Sequence, residues 1–351
     1  LNVNSRILEM AGITADTNVY GVLKDDAGKP TGELMEMAAK YMAYRQTGNP
    51  FFGGIRTPSL LTYAKSAVNC GVTTATDLYA TFNAESLAAY QEASLTPGYA
   101  LRLMPAMNTI EQPLDEGLAL MKQAMVMNND RLHHRLCKVM TDGSIQGFTA
   151  RLKWPGYYNG KPNGLWNMDP DQLAKLVMHY HKAGMHLHIH TNGDEASEVM
   201  LDAIEAAQEA HYRPDHRHTL QHCQMADASQ FRRMHKLGCC VNLFANHVHY
   251  WGDQHASITM GPDRARRMDA CATALREGVP LAIHSDAPVT PMAPLFTAWC
   301  AVNRLTASGA TLGPEERISA AAALHAITLG AAFTLRMDHL VGSVEPGKYA
   351  D

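Results

Sequence analysis

HLHIHTNGD, residues 186–194, decides how the rest of this chain is read. Side chains alternate along a strand, so His186, His188 and His190 share one face and Leu187 and Ile189 the other. The Thr-Asn-Gly-Asp that follows stops the strand just beyond His190. A strand with apolar flanks and a metal-capable side chain at its C-terminal end suits the mouth of a (β/α)8 barrel, because that face collects the strand ends. Three further segments repeat the design: KVMTDGS (138–144), TLQHCQ (219–224) and LAIHSDAPV (281–289), which contribute Lys138, His222 and Asp286.

Each of the four has its own weight. His190, at the strand end, is read as a metal ligand, and His186 and His188 as barrel-interior groups or as supports behind the ligands; the structural alternative is that all three are hydrogen-bonded core histidines. His222 gains its meaning from its order, one βα unit after His190; Arg217 and His218 upstream are free to bond neighbouring loops. Asp286 closes an apolar strand, where a carboxylate is costly to bury unless paired or metal-bound; capping the loop at Pro288 is its structural alternative. Lys138 lies among apolar residues, and two escapes from an unpaired buried ammonium stay open. One is a salt bridge to Asp142 or Asp286. The other is reaction with carbon dioxide to give a carbamate that bridges metal ions.

Working outward, strands are expected near 72–78, 99–106, 134–141, 185–191, 217–222, 239–244 and 280–285, alternating with helical patterns such as DPDQLAKLVMHYHKAG and EASEVMLDAIEAAQEAH. That alternation is the signature of βα units. Residues 1–56 read as a helical and loop insertion leading into the barrel, with GKPTGE (28–33) as a turn before a helix from about Leu34 to Tyr44. Residues 57–340 read as the barrel. The chain opens on LNVNSRILEMAG without an initiator Met and closes on EPGKYAD in mid-motif, so it reads as a piece of a longer polypeptide. The first barrel strand or two are expected outside it.

Composition narrows the class. With 351 residues, a net charge of −4 and no basic cluster beyond Arg264, Arg266 and Arg267, a nucleic-acid footprint is absent. The apolar run around 319–334 is interrupted by His or Arg and falls short of the roughly 18–20 residues a bilayer requires, so a soluble protein without a membrane partner is expected. Seven cysteines without CxxC spacing fit reduced thiols and a cytoplasmic location. Histidine is the outlier, at 18 residues against 8 Phe and 13 Tyr.

Taken together, KVMTDGSIQGFTARL, HIHTNGDEA, HRHTLQHCQ, NHVHYWGDQH, DRARRM, IHSDAPVTPMAPL, AVNRLTASG and GSVEPGKYAD resemble the YtcJ-like branch of the amidohydrolase superfamily, the branch of N-substituted formamide deformylase-like enzymes. The similarity runs from VNSRILEMAG to the last residue. It implies an α/β fold, a distorted TIM (β/α)8 barrel of the metal-dependent hydrolase type, with a small β-sandwich built from both termini. Most of that sandwich would be absent here, and residues 341–351 would begin the return to it. By position it implies metal binding by His190, His222 and Asp286, a bridging carbamylated Lys138, and a substrate-facing His247. The HxH pair of the family's first barrel strand has no counterpart in this sequence. Self-association, as a homodimer, is a further implication.

The expected chemistry is cleavage of an amide-type C–N bond in a small N-substituted substrate. One or two divalent ions, Zn2+ foremost, lower the pKa of bound water from near 16 towards about 7, and the resulting metal-bound hydroxide attacks the amide carbon. Asp286 shuttles the proton to the leaving amine. The metal, or His247, stabilises the oxyanion. Tyr157, Tyr158, Trp166, Tyr250 and Trp251 are placed in mouth loops, where they either line an apolar or aromatic pocket, Tyr157 and Trp251 foremost, or only pack those loops. The alternatives are another metal-dependent hydrolase or lyase reaction on the same barrel, acting on an ester, lactone or cyclic urea, and a non-catalytic metal-binding barrel.

Overall fold

Seven of the apolar runs pair into one parallel, curled sheet in the computed structural model, which describes residues 1–48 and 54–351. A two-stranded antiparallel unit precedes it, β1 (Val22–Lys24) with β2 (Pro30–Leu34). The sheet runs β3 (Thr74–Ala80), β4 (Arg102–Asn108), β5 (Leu136–Met140), β6 (His186–Thr191), β7 (Thr219–His222), β8 (Cys240–Leu243) and β9 (Leu281–Ile283), each neighbour in space being the neighbour in sequence. Such order with intervening helices is the βα repeat. The seven strands match the seven expected ones; among the described residues none joins β9 to β3.

Alternation explains which face is which. Leu103 and Met107 of β4, Cys137 and Val139 of β5, Leu187 and Ile189 of β6, and Leu220, Val241 and Leu281 beyond them join the main apolar core with the covering helices. The helix Pro170–Lys182 supplies Leu173, Leu176, Val177 and Tyr180 to that core. Its start is fixed by Asp169, whose side chain accepts from the Asp171 N–H, and by Pro170 in the first turn. The helix Ala228–Leu237 is bounded by an Asp227–Gln230 capping box and by Gly238 in the left-handed conformation.

The opposite, concave face carries the polar set. Register aligns Lys138 with His188, His190 with Gln221, and Gln221 with Asn242. His188 Nδ1 meets Gln221 Nε2 at 2.7 Å, Asn242 Nδ2 donates to Gln221 Oε1 at 2.9 Å, and His188 Nε2 lies 3.1 Å from the Thr334 carbonyl. The helix Leu329–Thr334 and the residues after it close the base of this face, where Leu335, Met337 and Val341 pack on Met104, Ala106 and Leu136. His186 and His188 are therefore interior groups, as their spacing implied.

Two expectations for residues outside the sheet need correction. GKPTGE is not merely a turn: residues 30–34 form β2, because the reversal comes earlier, at Asp25, whose carboxylate accepts from the Ala27 and Lys29 N–H groups. The helix that follows spans Glu36–Thr47. NHVHYWGD is not loop but the helix Asn246–Gln254, continued by a π turn at His255–Thr259. Residues 49–53, inside the expected leading segment 1–56, lie outside the described residues. Among the described residues no helix is long and apolar enough to cross a membrane.

At the strand starts sits a relay of imidazoles. His218 Nδ1 accepts from the Leu187 N–H at 3.2 Å, so its Nε2 carries the proton and donates to His181 Nδ1 at 2.9 Å; His181 Nε2 then donates to the His211 carbonyl at 2.7 Å. His216 Nδ1 accepts from the His218 N–H and its Nε2 donates to the Leu237 carbonyl. Every ring is satisfied only when neutral. Burial, opposed by the Leu237 carbonyl, pushes His216 down to about 4. A depressed folded-state pKa means stability that is complete above the unfolded value of about 6.5 and lost as pH falls through that value towards 4. The denaturation midpoint should therefore hold above about pH 7 and fall below about 6.5, with His216 alone contributing about 3 kcal/mol. A pH-independent midpoint across that window would contradict the relay.

Candidate metal centre

Lys138, His190, His222 and Asp286 come from β5, β6, the end of β7 and the turn after β9, and their electrostatics place them in one environment. The His190 and His222 rings lie 4.6 Å apart, centre to centre, and His222 lies 4.9 Å from His284. Ligand-capable atoms of His222, His284 and Asp286 all lie within 4.8 Å of one another.

Backbone strain makes this convergence possible. Strict alternation would send His222 to the outer face, because it pairs with Thr191 and Leu243, whereas Gln221 pairs with the inward His190. His222 instead adopts φ 67° and Cys223 φ 44°, which swings the imidazole towards His190. Asp286 has φ 51°. Left-handed backbone at a non-glycine residue costs of order 1–3 kcal/mol and persists only where surrounding contacts fix it. At Asp286 the Val289 N–H donates to the Asp286 carbonyl at 2.7 Å, and Thr290 Oγ1 donates to the Ser285 carbonyl. Asn246 Nδ2 donates in turn to Thr290 Oγ1 at 2.9 Å, tying the helix of His247 to the Asp286 turn.

Asp142 organises the other side. Its carboxylate accepts from the backbone N–H groups of Asn192 (2.9 Å), Gly193 (2.8 Å) and Arg151 (2.9 Å). Burial, opposed by these donors and by Thr141, leaves its carboxyl raised to about 7. Gly193 is required here, since a Cβ would overlap the Arg151 carbonyl. His190 Nε2 lies 3.3 Å from the Gly143 carbonyl, 3.3 Å from Asn192 Nδ2 and 3.6 Å from Asp142 Oδ1, so the loops after β5 and β6 hold the ring in place.

The protonation states suit metal binding. Burial, then the positive charge of Lys138, pushes His190 down to about 3, and burial with its neighbours holds His222 well below its ordinary value. Neutral imidazole is the ligand form. Burial pushes Lys138 down to about 8 against the pull of Asp286, and burial raises Asp286 against the pull of Lys138. Of the two carboxylates open to Lys138, Asp142 is taken up by backbone donors, and Asp286 is the one whose charge acts on it. The donor set, neutral imidazoles with one carboxylate and a buried His284 Nε2 that has no partner, fits a divalent ion.

His247 and Trp251 stand beside this centre. His247 is buried, its Nδ1 has no partner, and its ring packs on Phe244 (4.2 Å) and Trp251 (4.9 Å). Phe244 stacks on His284 at 4.9 Å, so the aromatic row reaches the imidazoles. Tyr157 is placed differently: it is buried with Ile145, Leu152, Met225 and Met260, and its Oη donates to the Ala150 carbonyl at 3.0 Å. Its side chain serves loop packing. Trp166 is buried under Arg151, and Tyr158 is exposed. His284 was not singled out from the sequence, although HSD (284–286) repeats the two-residue spacing that marked HLHIH.

The model of the amidohydrolase family matches residues 2–351. The chain belongs to the amidohydrolase family. Within the family it is 27% identical over 365 residues to N-substituted formamide deformylase of Arthrobacter pascens and 25% identical over 359 residues to the putative amidohydrolase YtcJ of Bacillus subtilis, as the YtcJ-like resemblance implied. It is 29% identical over 368 residues to Protein LONG AFTER FAR-RED 3 of Arabidopsis thaliana. Each alignment covers 99% of this chain but 61% to 65% of the relative, so the chain spans less than two thirds of the length of these curated relatives. An uncharacterized metal-dependent hydrolase from Pyrococcus horikoshii OT3 shares the fold at a TM-score of 0.74 and 19% identity, covering 99% of this chain and 68% of that one. Its counterpart from Pyrococcus furiosus matches at 0.71.

The Asp142 arrangement generates a direct test. Asp142→Asn keeps the shape but turns one acceptor towards backbone N–H donors, which should cost about 1–3 kcal/mol. Thermal unfolding of the metal-free protein should register the loss; an unchanged Tm would show that the carboxylate does not hold the β5 and β6 loops together.

Proposed function

We propose that this chain forms the catalytic part of a metal-dependent amidohydrolase that cleaves an amide-type C–N bond of a small, N-substituted substrate. The observation that carries the reading is the convergence of neutral His190 and His222 with Asp286 at the strand ends of a parallel sheet, in a chain of this family. We read the curled sheet as part of a distorted (β/α)8 barrel, with the site at its C-terminal mouth.

His190, His222 and Asp286 would hold the ion, Zn2+ by ligand type. When bound, such an ion supplies Lewis acidity that brings the pKa of a water towards neutrality. Asp286, kept ready to share a proton by its buried position, takes a proton from the attacking water and returns it to the nitrogen of the leaving amine. The partnerless ring nitrogen of His247 is available to donate to the carbonyl oxygen as negative charge develops on it. Lys138, with a pKa lowered to about 8, has neutral amine accessible near physiological pH. That is the form that adds carbon dioxide, releasing one proton and giving a carbamate able to bridge a second ion.

The wall beside His247 supports an apolar or aromatic N-substituent. Trp251 adjoins Tyr250 (5.7 Å), Tyr250 adjoins Phe296 (6.2 Å), and Phe296 stacks on Trp299 (5.4 Å). Tyr250 and Trp299 keep over a third of their surface exposed, so the row is open to a ligand.

Asp286→Asn should leave the fold nearly intact and lower kcat on an N-substituted formamide by about three orders of magnitude or more. Retained turnover would remove Asp286 from the proton path. His190→Ala and His222→Ala should each lower the metal content of the purified protein, and undiminished stoichiometry in either would refute its ligation.

A further inference from the structure

His284 stands among the donors of the centre, yet the proposed mechanism gives it no task. It follows Ile283, the last residue of β9, whose partner Leu243 faces the outer core, so alternation points His284 to the concave side. Its ring lies 4.9 Å from that of His222, and its ligand-capable atom falls within 4.8 Å of those of His222 and Asp286. Its Nε2 is buried with no hydrogen-bond partner. A buried ring nitrogen without a partner costs free energy; others are present among the described residues, on His133, His134, His179, His186 and His247, but His284 is the one that clusters with His222 and Asp286.

The competing explanation is packing, since His284 stacks on Phe244 at 4.9 Å and 26°. A stack needs a flat ring and no nitrogen; an apolar ring there would avoid the unpaired atom altogether. Ligand atoms about 2.0–2.2 Å from one ion sit roughly 3.5 Å apart, so side-chain adjustments of about an ångström would bring the three groups to tetrahedral spacing.

We propose that His284 is a direct metal ligand, joining His190, His222 and Asp286 in a shell that favours nitrogen-preferring ions such as Zn2+ and Co2+ over Mg2+. This rests on the reading that a divalent ion is held at the strand ends. Imidazoles with one carboxylate make a borderline-soft shell, whereas Mg2+ demands oxygen ligands and retains its water. His284 is aimed by the strand direction of β9 and Asp286 by its own left-handed backbone two residues on.

The full protein, stripped of metal with a chelator, is titrated with Zn2+ against a chromophoric competitor and with Co2+ by visible absorption. His284→Ala should weaken Zn2+ binding by about 100-fold or more and reduce the tetrahedral Co2+ bands, while the more packing-directed Phe244→Leu should leave Zn2+ affinity within about threefold. His284→Cys should restore Zn2+ binding and add a cobalt–thiolate charge-transfer band, a signature that a stacking role would not produce. Wild-type affinity and spectrum in His284→Ala, with the wild type binding metal, would overturn the assignment of His284 alone. If His284→Ala does not fold, absence of the thiolate band in a folded His284→Cys overturns it. Failure of the wild type to bind either ion would overturn both this inference and the proposed function.

Discussion

Burial of ionisable groups inside the concave face of the sheet sets the character of the site. Burial holds His188, His190, His222 and His284 below their ordinary pKa, and the charge of Lys138, itself 4% exposed, adds to the effect on each. The rings are neutral, with lone pairs available, and Asp286 is the carboxylate whose charge opposes Lys138. Towards the base, His188 is bonded through both nitrogens to Gln221 and the Thr334 carbonyl and His186 through Nε2 to the Arg217 carbonyl, whereas at the mouth His247 Nδ1 and His284 Nε2 have no partner.

The mouth is held by local bonds more than by the sheet. Asp142 gathers three backbone donors from the loops after β5 and β6, and Asn246, Thr290 and Ser285 link the helix of His247 to the turn of Asp286. These ties offset the strain of left-handed backbone at His222 and Asp286, which the strands alone would not support. Scaffold and chemistry are thereby separated: apolar outer faces stabilise the sheet, and the loop bonds aim the side chains.

The strands were legible because alternation and β-branched or apolar content act locally, and so the seven strands, the inward His186 and His188, and the strand-end position of His190 follow from the letters themselves. His222 was legible by its order but not by its direction, which depends on a backbone conformation that no periodicity encodes. His284 was legible in principle from its two-residue spacing to Asp286, the spacing that puts side chains on one face of a strand. The aromatic residues were the least readable. Tyr157 and Trp251 look alike as loop aromatics, yet one packs beneath a loop and the other lies on a helix beside His247, a difference made by tertiary contacts. The hairpin at 22–34 escaped because its turn is closed by the Asp25 side chain on Ala27 and Lys29, with Gly28 left-handed inside it, and the strand resumes at Pro30.

The central claim is that a divalent ion sits where β6, β7 and β9 end. Diffraction from crystals grown with Zn2+, measured on both sides of the zinc absorption edge, tests it most directly. The account predicts an anomalous peak about 2.0–2.2 Å from a nitrogen of His222 and an oxygen of Asp286. Crystals that bind zinc only at surface histidines, with no peak between those two residues, would contradict it.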